Sequence, residues 1–330
     1  MKALLLAEDR TLQITELPKP KVGPDEVLVA VKASALNHRE IWIKKGLYPG
    51  MKLPCILGAD GAGIVVECGN KVSREWLHKE VIIYPAYDWG ENEQAPSRQF
   101  RVLGMPDSGT IAAFIKVPVS NLVDKPTYLS WEEAAAIPVA GLTAWRALVR
   151  HGSIKRGNKV LIVGIGGGVA QLGLAIAKAF EAEVYVTSSS ADKISKSIEL
   201  GASGGVNYRD EDWPLQLKEL SGGIDIVLDS SPTSILDDYF RFMNYGCRIV
   251  SYGSTGSPKT TISISKFFLR HIQFIGTAMG SPTEFQDLIT FMESHKIIPR
   301  IHKSYHFDKA VEAVMALESG KQIGKIVLNH

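Results

Sequence analysis

The chain contains 330 residues, of which 45% are apolar and 22% are charged. This composition is typical of globular proteins and excludes a disordered chain, a collagen-like repeat and a coiled coil. The 37 basic and 35 acidic residues leave a formal net charge of only +2, so no field that would gather nucleic acid or an acidic membrane surface is expected. The length predicts two domains.

Cysteine usage and the N-terminal sequence predict the compartment. The three cysteines, Cys55, Cys68 and Cys247, lack metal-ligand spacing and cannot all pair, so a disulfide-stapled secreted protein is not expected. Residues 1–10 hold too short an apolar run for a signal peptide. The apolar stretch 160–177 imitates a membrane span, but its four glycines at 164–168 favour a buried strand, a tight turn and a helix. We expect a soluble cytoplasmic protein.

The predicted elements change character along the chain. Short β-branched runs at 27–31 and 64–66 predict a β-rich first third, followed by a long loop over 86–110. Beyond about residue 123, strands alternate with helices, which predicts parallel βαβ units. The predicted strands are 159–163, 184–187, 224–228, 248–252 and 274–276, and the predicted helices are 170–180, 191–200 and 234–242. Helical spacing then predicts helices over 284–294 and 308–317, before a strand over 326–328.

A glycine-rich turn between a predicted strand and a predicted helix is the strongest local signal. This geometry brings backbone N–H groups and a helix N-terminus to a pyrophosphate, which predicts dinucleotide binding rather than a turn without a ligand. In one register Gly164 and Gly166 are the first two glycines and Val169 takes the third place. In the preferred register Gly164, Gly167 and Ala170 form G-x-x-G-x-x-A, because a valine would crowd the helix–strand contact. The candidate residues are Gly164, Gly166, Gly167, Gly168 and Val169.

The end of the next strand indicates which dinucleotide binds. NAD-dependent enzymes place an acidic residue there, on the ribose 2′-hydroxyl. This chain has Ser188, Ser189 and Ser190, followed by Lys193. Three hydroxyls and an ammonium suit a 2′-phosphate, so NADP(H) is predicted over NAD. Ser190 is also placed to cap the following helix, a role compatible with phosphate binding.

Five stretches together resemble one family: 35–42, 57–65, 134–144, the glycine turn and 199–202. In their order and spacing the chain resembles a medium-chain dehydrogenase/reductase over essentially its whole length. The resemblance implies an α/β fold with a Rossmann doubly wound parallel sheet domain at 123–279. It implies a β-rich GroES-like catalytic domain formed by 1–122 and 280–330, with the active cleft between the two. Homodimers or homotetramers are implied as well.

The chain departs from the family's zinc enzymes at the ligand positions. Those enzymes hold a catalytic zinc with a Cys, a Gly-His-Glu motif and a later Cys; here the positions read Asn37, Gly58-Ala59-Asp60 and Val139. Residues 84–110 contain no cysteine for a structural zinc. Zinc catalysis needs about three protein ligands, and only Asp60 remains, with His38 nearby. The resemblance therefore implies a member without metal, similar to quinone oxidoreductases and ene reductases.

Such a member transfers hydride from NADPH to a small electrophile, either a quinone or an activated alkene. These acceptors take hydride at a position that is already electron-poor, so the developing oxyanion needs only hydrogen-bond donors. Asn37 is predicted to donate its amide to the substrate oxygen, or else to stabilise a turn. Tyr48 matches a cleft tyrosine of the relatives and is predicted to donate a proton or hydrogen bond, or else to pack in a loop.

The remaining cofactor contacts follow from the resemblance and from the strand ends. The resemblance places Thr143 beside the nicotinamide and Tyr208 near the adenosine phosphate. Gly253, Ser254, Ala278 and Met279 follow predicted strands, whose carboxyl ends face the ligand crevice. Two alternatives stay open: an alcohol or aldehyde dehydrogenase of the zinc-type family, and a cofactor-binding sensor with little turnover. Nucleic-acid and membrane partners are not expected.

Overall fold

The structure is a computed structural model that describes residues 1–232 and 236–330. The chain divides into two compact units, one formed by 1–140 with 280–330 and the other by 141–279. The strands are β1 (Lys2–Leu6), β2 (Leu12–Glu16), β3 (Glu26–Ala35), β4 (Cys55–Ile56), β5 (Asp60–Cys68), β6 (Glu80–Ile83), β7 (Ala86–Tyr87), β8 (Arg101–Leu103), β9 (Pro106–Asp107), β10 (Phe114–Pro118), β11 (Leu122–Asp124), β12 (Lys159–Ile162), β13 (Glu183–Ser188), β14 (Gly204–Asn207), β15 (Ile224–Asp229), β16 (Met243–Ser251), β17 (Gln273–Gly276), β18 (Ile301–His306) and β19 (Lys325–Asn329).

The helices are fewer and mostly short. The α-helices are α1 (His38–Lys44), α2 (Trp131–Ala135), α3 (Pro138–Trp145), α4 (Gly168–Ala179), α5 (Ala191–Glu199), α6 (Trp213–Ser221), α7 (Ile264–Leu269), α8 (Pro282–His295) and α9 (Ala310–Glu318). Single 3₁₀ turns cover Arg74–Trp76, Val119–Asn121 and Phe307–Lys309, a longer 3₁₀ segment covers Leu236–Arg241, and a π-helical segment covers Arg146–His151. Among the described residues, no helix has the length and apolar character needed to cross a bilayer.

The first unit is built around the long strand β3. One edge of β3 pairs with β5, and its other edge is shared, with β10 along the first half and β19 along the second. The strands β6 and β11 extend the sheet beyond β5, and β18 extends it beyond β19. Apolar side chains from β1, α1, α9 and β19 form its main core, among them Leu4, Ile43, Val314 and Leu328. This β-rich architecture is the predicted GroES-like domain.

The boundary between the units differs from the predicted one at its first crossing. The prediction placed it at 122/123, and the structure places it at 140/141. The reason is that β11 pairs antiparallel with β6 and that α2 packs on β3 and β5, so both belong to the first unit. The segment 86–110, predicted as a loop, contains the short strands β7, β8 and β9, which form a small sheet of their own.

The second unit is a parallel six-stranded sheet in the order β14-β13-β12-β15-β16-β17. The strands β13 and β14 lie on one side of β12, and β15, β16 and β17 lie on its other side. This order confirms the predicted doubly wound α/β class and places a topological switch point between β12 and β15. Cys247 is fully buried in β16, and burial raises the pKa of its thiol, so it is a core residue.

The prediction of an α-helix over 234–242 is wrong. The structure has a 3₁₀ segment at Leu236–Arg241, and Ser234 lies outside the described residues. Tyr239 and Phe242 are fully buried and stack around Trp213, with ring centroids 5.2–6.0 Å apart. Anchoring these aromatic side chains at a spacing of three residues suits a 3₁₀ turn, in which i and i+3 lie above one another.

The buried histidine His330, in the first unit, is expected to make the stability of the protein fall at low pH. His330 Nε2 lies 2.9 Å from Ser34 Oγ, its ring packs 4.8 Å from that of Phe307, and burial lowers its pKa to about 4. The unfolded chain protonates near 6.5, so this stabilisation is present above pH 6.5 and is lost as the pH falls toward 4. We expect roughly 2–3 kcal/mol of unfolding free energy to be lost in that window.

Urea unfolding of the wild-type protein and of His330→Phe between pH 7 and pH 4 measures this loss. The variant keeps an aromatic ring and cannot be protonated, so its stability is expected to fall less steeply. Equal pH dependence of the two proteins would contradict the assignment.

Candidate active site

The glycine turn joins β12 to α4 and leaves open space above it. Gly164 has a φ of +72°, a conformation that favours glycine. Two side-chain hydrogen bonds fix the turn. Thr187 Oγ1 accepts from the Gly164 N–H at 3.1 Å, and Gln171 donates to the Ile165 carbonyl at 2.8 Å. A Cβ placed on Gly164 or Gly167 would meet no described atom within 4 Å. The turn therefore fits a pyrophosphate.

The packing of the turn discriminates between the two glycine registers. Gly167 is the N-cap of α4. Ala170 is buried, whereas Val169 is partly exposed. Ala170 therefore occupies the crowded position, which is the pattern that the G-x-x-G-x-x-A spacing requires. Gly166 and Gly168 are partly exposed beside it.

The three serines after β13 form a locally hydrogen-bonded turn. Ser188 Oγ accepts from the Ser190 N–H at 3.1 Å, and Ser190 Oγ accepts from the Lys193 N–H at 3.4 Å, so Ser190 caps α5 as predicted. Ser188 is buried, whereas Ser189, Ser190 and Lys193 are partly exposed. Burial lowers the pKa of Lys193. A nearby phosphate would favour the charged form of this lysine and offset that cost.

The other cofactor candidates follow the strands of the same sheet. Tyr208 comes directly after β14 and is 45% exposed. Gly253 and Ser254 come after β16, and both are exposed. Ala278 is exposed and Met279 is buried after β17, while Thr143 is buried on α3. The carboxyl edge of one sheet thus carries the glycine turn, the serine turn and the segments after β14, β16 and β17.

In the first unit the two predicted groups Asn37 and Asp60 meet at the end of β3. Ala35, the last residue of β3, pairs with Asp60 of β5 on one side and with Val327 of β19 on the other. Asn37 follows two residues later, as the N-cap of α1. The same register brings Lys325, the first residue of β19, to this point. Asp60 is fully buried and Lys325 is 4% exposed.

These three side chains form a hydrogen-bonded group, called here the Asn37–Asp60–Lys325 cluster. The Lys325 ammonium donates to Asp60 Oδ2 at 2.7 Å and to Asn37 Oδ1 at 2.6 Å, and also to the Leu36 carbonyl at 2.7 Å. Asn37 Nδ2 donates to Asp60 Oδ2 at 2.9 Å. The Val139 N–H donates to Asp60 Oδ1 at 2.8 Å. Both carboxylate oxygens are therefore engaged.

The residues at the family's zinc position do not fit a catalytic zinc. Asn37, Ala59 and Val139 supply no suitable ligand, and Asp60 would have to give up its bonds to Lys325, Asn37 or Val139. His38 begins α1 and is exposed. Within residues 1–232 and 236–330, no group of three His, Cys, Asp or Glu side chains is arranged to hold a metal.

Tyr48 lies beyond the other end of α1 and is oriented by an arginine. Arg39 Nε donates to the Tyr48 hydroxyl at 3.4 Å, and the guanidinium lies 4.8 Å from the centre of the tyrosine ring. The same guanidinium donates to the carbonyls of Leu103 and Met105, which hold it in place. Because the hydroxyl accepts from Arg39, its own proton is left to donate. No acceptor for that proton lies among the described residues.

A second buried carboxylate connects the two predicted catalytic residues. Glu40 Oε2 accepts from the Asn37 N–H at 2.6 Å, and Glu40 Oε1 lies 3.7 Å from the Arg39 guanidinium. Glu40 is fully buried, and burial raises its pKa although Arg39 opposes the shift. The carboxyl fixes the backbone at the start of α1, and so it positions Asn37.

Sequence reasoning missed Lys325 and Arg39. Lys325 could have been recognised from its position, because it is a charged residue at the start of a strand whose next residues, Ile326, Val327 and Leu328, are apolar. A charge in such a strand needs a buried partner. Arg39 lies within a stretch already recognised as family-like, but its partners are the backbone carbonyls of Leu103 and Met105, more than sixty residues away.

Two family models match successive parts of the chain. Residues 23–127 match the alcohol dehydrogenase GroES-like domain, and residues 168–294 match the zinc-binding dehydrogenase domain. The zinc-type alcohol dehydrogenase-like protein YogA of Leptosphaeria maculans is 35% identical over 96% of this chain and 94% of its own length.

Solved structures agree over the full length. A crystal structure of an NAD-dependent alcohol dehydrogenase has a TM-score of 0.94 at 34% identity and covers 100% of both chains. The 2-octenoyl-CoA carboxylase reductase CinF, solved with NADP and 2-octenoyl-CoA, has a TM-score of 0.88 at 26% identity over 99% of this chain and 87% of its own. From the fold, the glycine turn and these matches, the chain belongs to the medium-chain dehydrogenase/reductase superfamily and is an oxidoreductase.

Proposed function

We propose that this protein is an NADPH-dependent reductase of conjugated carbonyl compounds, either quinones or activated alkenes, and that it works without zinc. The observation that carries the proposal is the Asn37–Asp60–Lys325 cluster at the family's zinc position. A buried ion pair there leaves hydrogen-bond donors rather than a Lewis acid. Donors of this kind suffice when hydride is added to a carbon that is already electron-poor.

The preference for NADPH is supported by the serine turn after β13. This turn has hydroxyls and a lysine where NAD enzymes place a carboxylate. Relatives differ on this point, since the NAD-dependent alcohol dehydrogenase described above uses NAD and CinF was solved with NADP. The local charge is therefore the stronger argument, because no acidic side chain stands at positions 188–190 to repel a 2′-phosphate.

The substrate class is supported by the CinF complex, in which the bound ligand is an α,β-unsaturated thioester. Enones, enals and quinones share the same electronic feature, a carbonyl conjugated to the carbon that accepts hydride. Reduction places negative charge on the carbonyl oxygen. The substrate that this site accepts is therefore defined by conjugation rather than by the group attached to the carbonyl.

In this mechanism the dinucleotide supplies the hydride when bound. The glycine turn and the serine turn hold its phosphates. The free Nδ2–H of Asn37 donates to the substrate oxygen and stabilises the developing enolate. Tyr48, held by Arg39 as an acceptor, donates its hydroxyl hydrogen to the substrate and is a source of the proton that completes reduction.

Oxidation of NADPH followed at 340 nm tests the proposal, with NADH in parallel. The acceptors are 1,2-naphthoquinone, 9,10-phenanthrenequinone, a 2-alkenal, an enoyl thioester and a simple aldehyde. Turnover with the conjugated acceptors, unchanged after chelator treatment, supports the proposal. Activity with the simple aldehyde alone, lost on chelation, would establish the alcohol dehydrogenase alternative. Tight NADPH binding with no turnover would favour a sensor.

Tyr48→Phe removes one hydroxyl and tests the proton donor. We expect kcat to fall about 100-fold with an activated alkene, at the lower end of the range that general-acid catalysis contributes. The NADPH dissociation constant should change less than twofold. Trp42→Phe, which alters an exposed aromatic side chain on α1 itself, serves as the control. Equal losses in turnover and cofactor affinity would place Tyr48 in a structural role.

We propose further that the protein is a homo-oligomer that pairs through the β17 edge of the Rossmann sheet. No described strand pairs with the outer edge of β17. Phe274 on this strand and Ile264, Phe268 and Leu269 on α7 are 44–65% exposed. Light scattering is expected to show a dimer or tetramer that Phe268→Lys dissociates, whereas Leu215→Lys on α6 should not. A wild-type monomer at micromolar concentration would contradict this.

A further inference from the structure

We propose that Lys325 is a positioning residue that holds the Asn37 amide as a hydrogen-bond donor and strengthens it. This inference rests on the proposed function, because it assigns the donor that stabilises the oxyanion formed on reduction. Lys325 acts through Asn37 and not on the substrate. Its three N–H groups are all engaged within the protein, by Leu36, Asn37 and Asp60.

The chemistry of the two charged partners determines how the amide is oriented. An ammonium has donors only, so the Asn37 atom 2.6 Å from Lys325 Nζ must be the carbonyl oxygen. A carboxylate has acceptors only, so the Asn37 atom 2.9 Å from Asp60 Oδ2 must be the amide nitrogen. The two assignments agree. A flipped amide would set its oxygen against the carboxylate and its nitrogen against the ammonium.

This orientation leaves Asn37 with one group to offer. Its Nδ2 carries a second hydrogen, for which no partner lies among the described residues. Asn37 therefore presents a donor and not an acceptor to a ligand. A carbonyl or enolate oxygen matches it, and an anionic oxygen accepts more strongly than a neutral hydroxyl.

The ammonium also makes that donor stronger. A hydrogen bond from Lys325 to Oδ1 draws electron density through the amide and polarises the Nδ2–H bonds. Lys325 is 4% exposed and Asp60 is fully buried, so solvent does not screen the interaction. The effect grows as negative charge develops on the bound oxygen, so it favours the transition state over the ground state.

A phenol titration separates this role from simple structural support. The probe is p-nitrophenol, whose phenolate mimics an enolate and has its own absorbance. With NADP⁺ present, the wild-type protein is expected to bind the phenolate in preference to the phenol. Lys325→Met should reduce that preference about tenfold, which corresponds to a rise of about one unit in the apparent pKa of the bound probe. Lys325→Arg should restore most of it.

Two controls keep the result interpretable. Lys321→Met removes an exposed lysine four residues away and should leave the preference unchanged. If Lys325→Met does not fold, Asp60→Asn with Lys325→Met removes both charges and should show the same loss. Retention of the wild-type preference in folded Lys325→Met, or in the double variant, would overturn the inference. So would a wild-type protein that does not favour the phenolate or does not bind the probe.

The kinetic readout distinguishes this inference from the proposed function. If the wild-type protein reduces activated alkenes, Lys325→Met should lower kcat about 10- to 100-fold and leave the NADPH dissociation constant within twofold. If no electrophile is turned over, the proposed function fails. The phenolate titration then still decides whether Lys325 makes Asn37 a donor for anionic oxygen.

Discussion

Replacing Ser188 with aspartate is expected to shift the ratio of kcat/KM for NADPH over NADH by about 100-fold toward NADH, or about 3 kcal/mol. The structure shows why the change should be tolerated. Ser188 Oγ accepts a hydrogen bond from the Ser190 N–H, and one oxygen of an aspartate can accept the same bond. The other oxygen is then left for the ribose hydroxyls, where it would repel a 2′-phosphate.

The measurement is kcat/KM for both dinucleotides with one acceptor. Ser188→Asn is the matched control, because it has the shape of aspartate without the charge and should shift the ratio far less. If the ratio in Ser188→Asp equals that of the wild-type protein, the 2′-phosphate does not bind at the end of β13. In that case the serine turn serves only to cap α5.

Removing the carboxylate of Asp60 is expected to destabilise the protein by about 3–5 kcal/mol in Asp60→Leu. This is the usual cost of leaving one member of a buried ion pair without its partner. Leucine is larger than aspartate and leaves no cavity, so the loss comes from the uncompensated Lys325 ammonium together with some overpacking. Asp60 also accepts from the Val139 N–H and from Asn37, and these donors lose their partner as well.

Urea unfolding measures this effect, and a double variant isolates its origin. Asp60→Leu with Lys325→Met contains neither charge and should be more stable than Asp60→Leu alone, because replacing both members of a buried pair is often close to neutral. A single variant as stable as the wild-type protein would show that the ion pair is solvated. A double variant no more stable than the single would attribute the loss to the Val139 and Asn37 bonds and not to the Lys325 charge.

Much of the Rossmann unit follows from local sequence. The glycine turn is recognisable because a strand, a turn and a helix lie within about twenty consecutive residues, and Gly164 has a positive φ, which favours glycine. The serine turn is equally local, since Ser188, Ser190 and Lys193 bond to one another within six residues. The alternation of strands and helices then determines the parallel sheet.

The details of the first unit could not be predicted in this way. Its first boundary lies at 140/141 because β11 and α2 pack on strands that precede them by many residues. The short strands within 86–110 are stabilised by pairing with one another. Because β-propensity gives no strand signal there, the sequence predicts a loop for this segment. The 3₁₀ segment at Leu236–Arg241 likewise depends on where Tyr239 finds its aromatic neighbours.

The sequence by itself determined the family resemblance, the dinucleotide turn and the absence of the usual zinc ligands, because each depends on residue types at fixed short spacings. Only the tertiary structure showed what stands in place of those ligands. Asp60 and Lys325 are 265 positions apart and meet only through the pairing of β5 and β19 on opposite sides of β3. Sheet register, a long-range property, decides that the buried lysine meets the carboxylate and the amide.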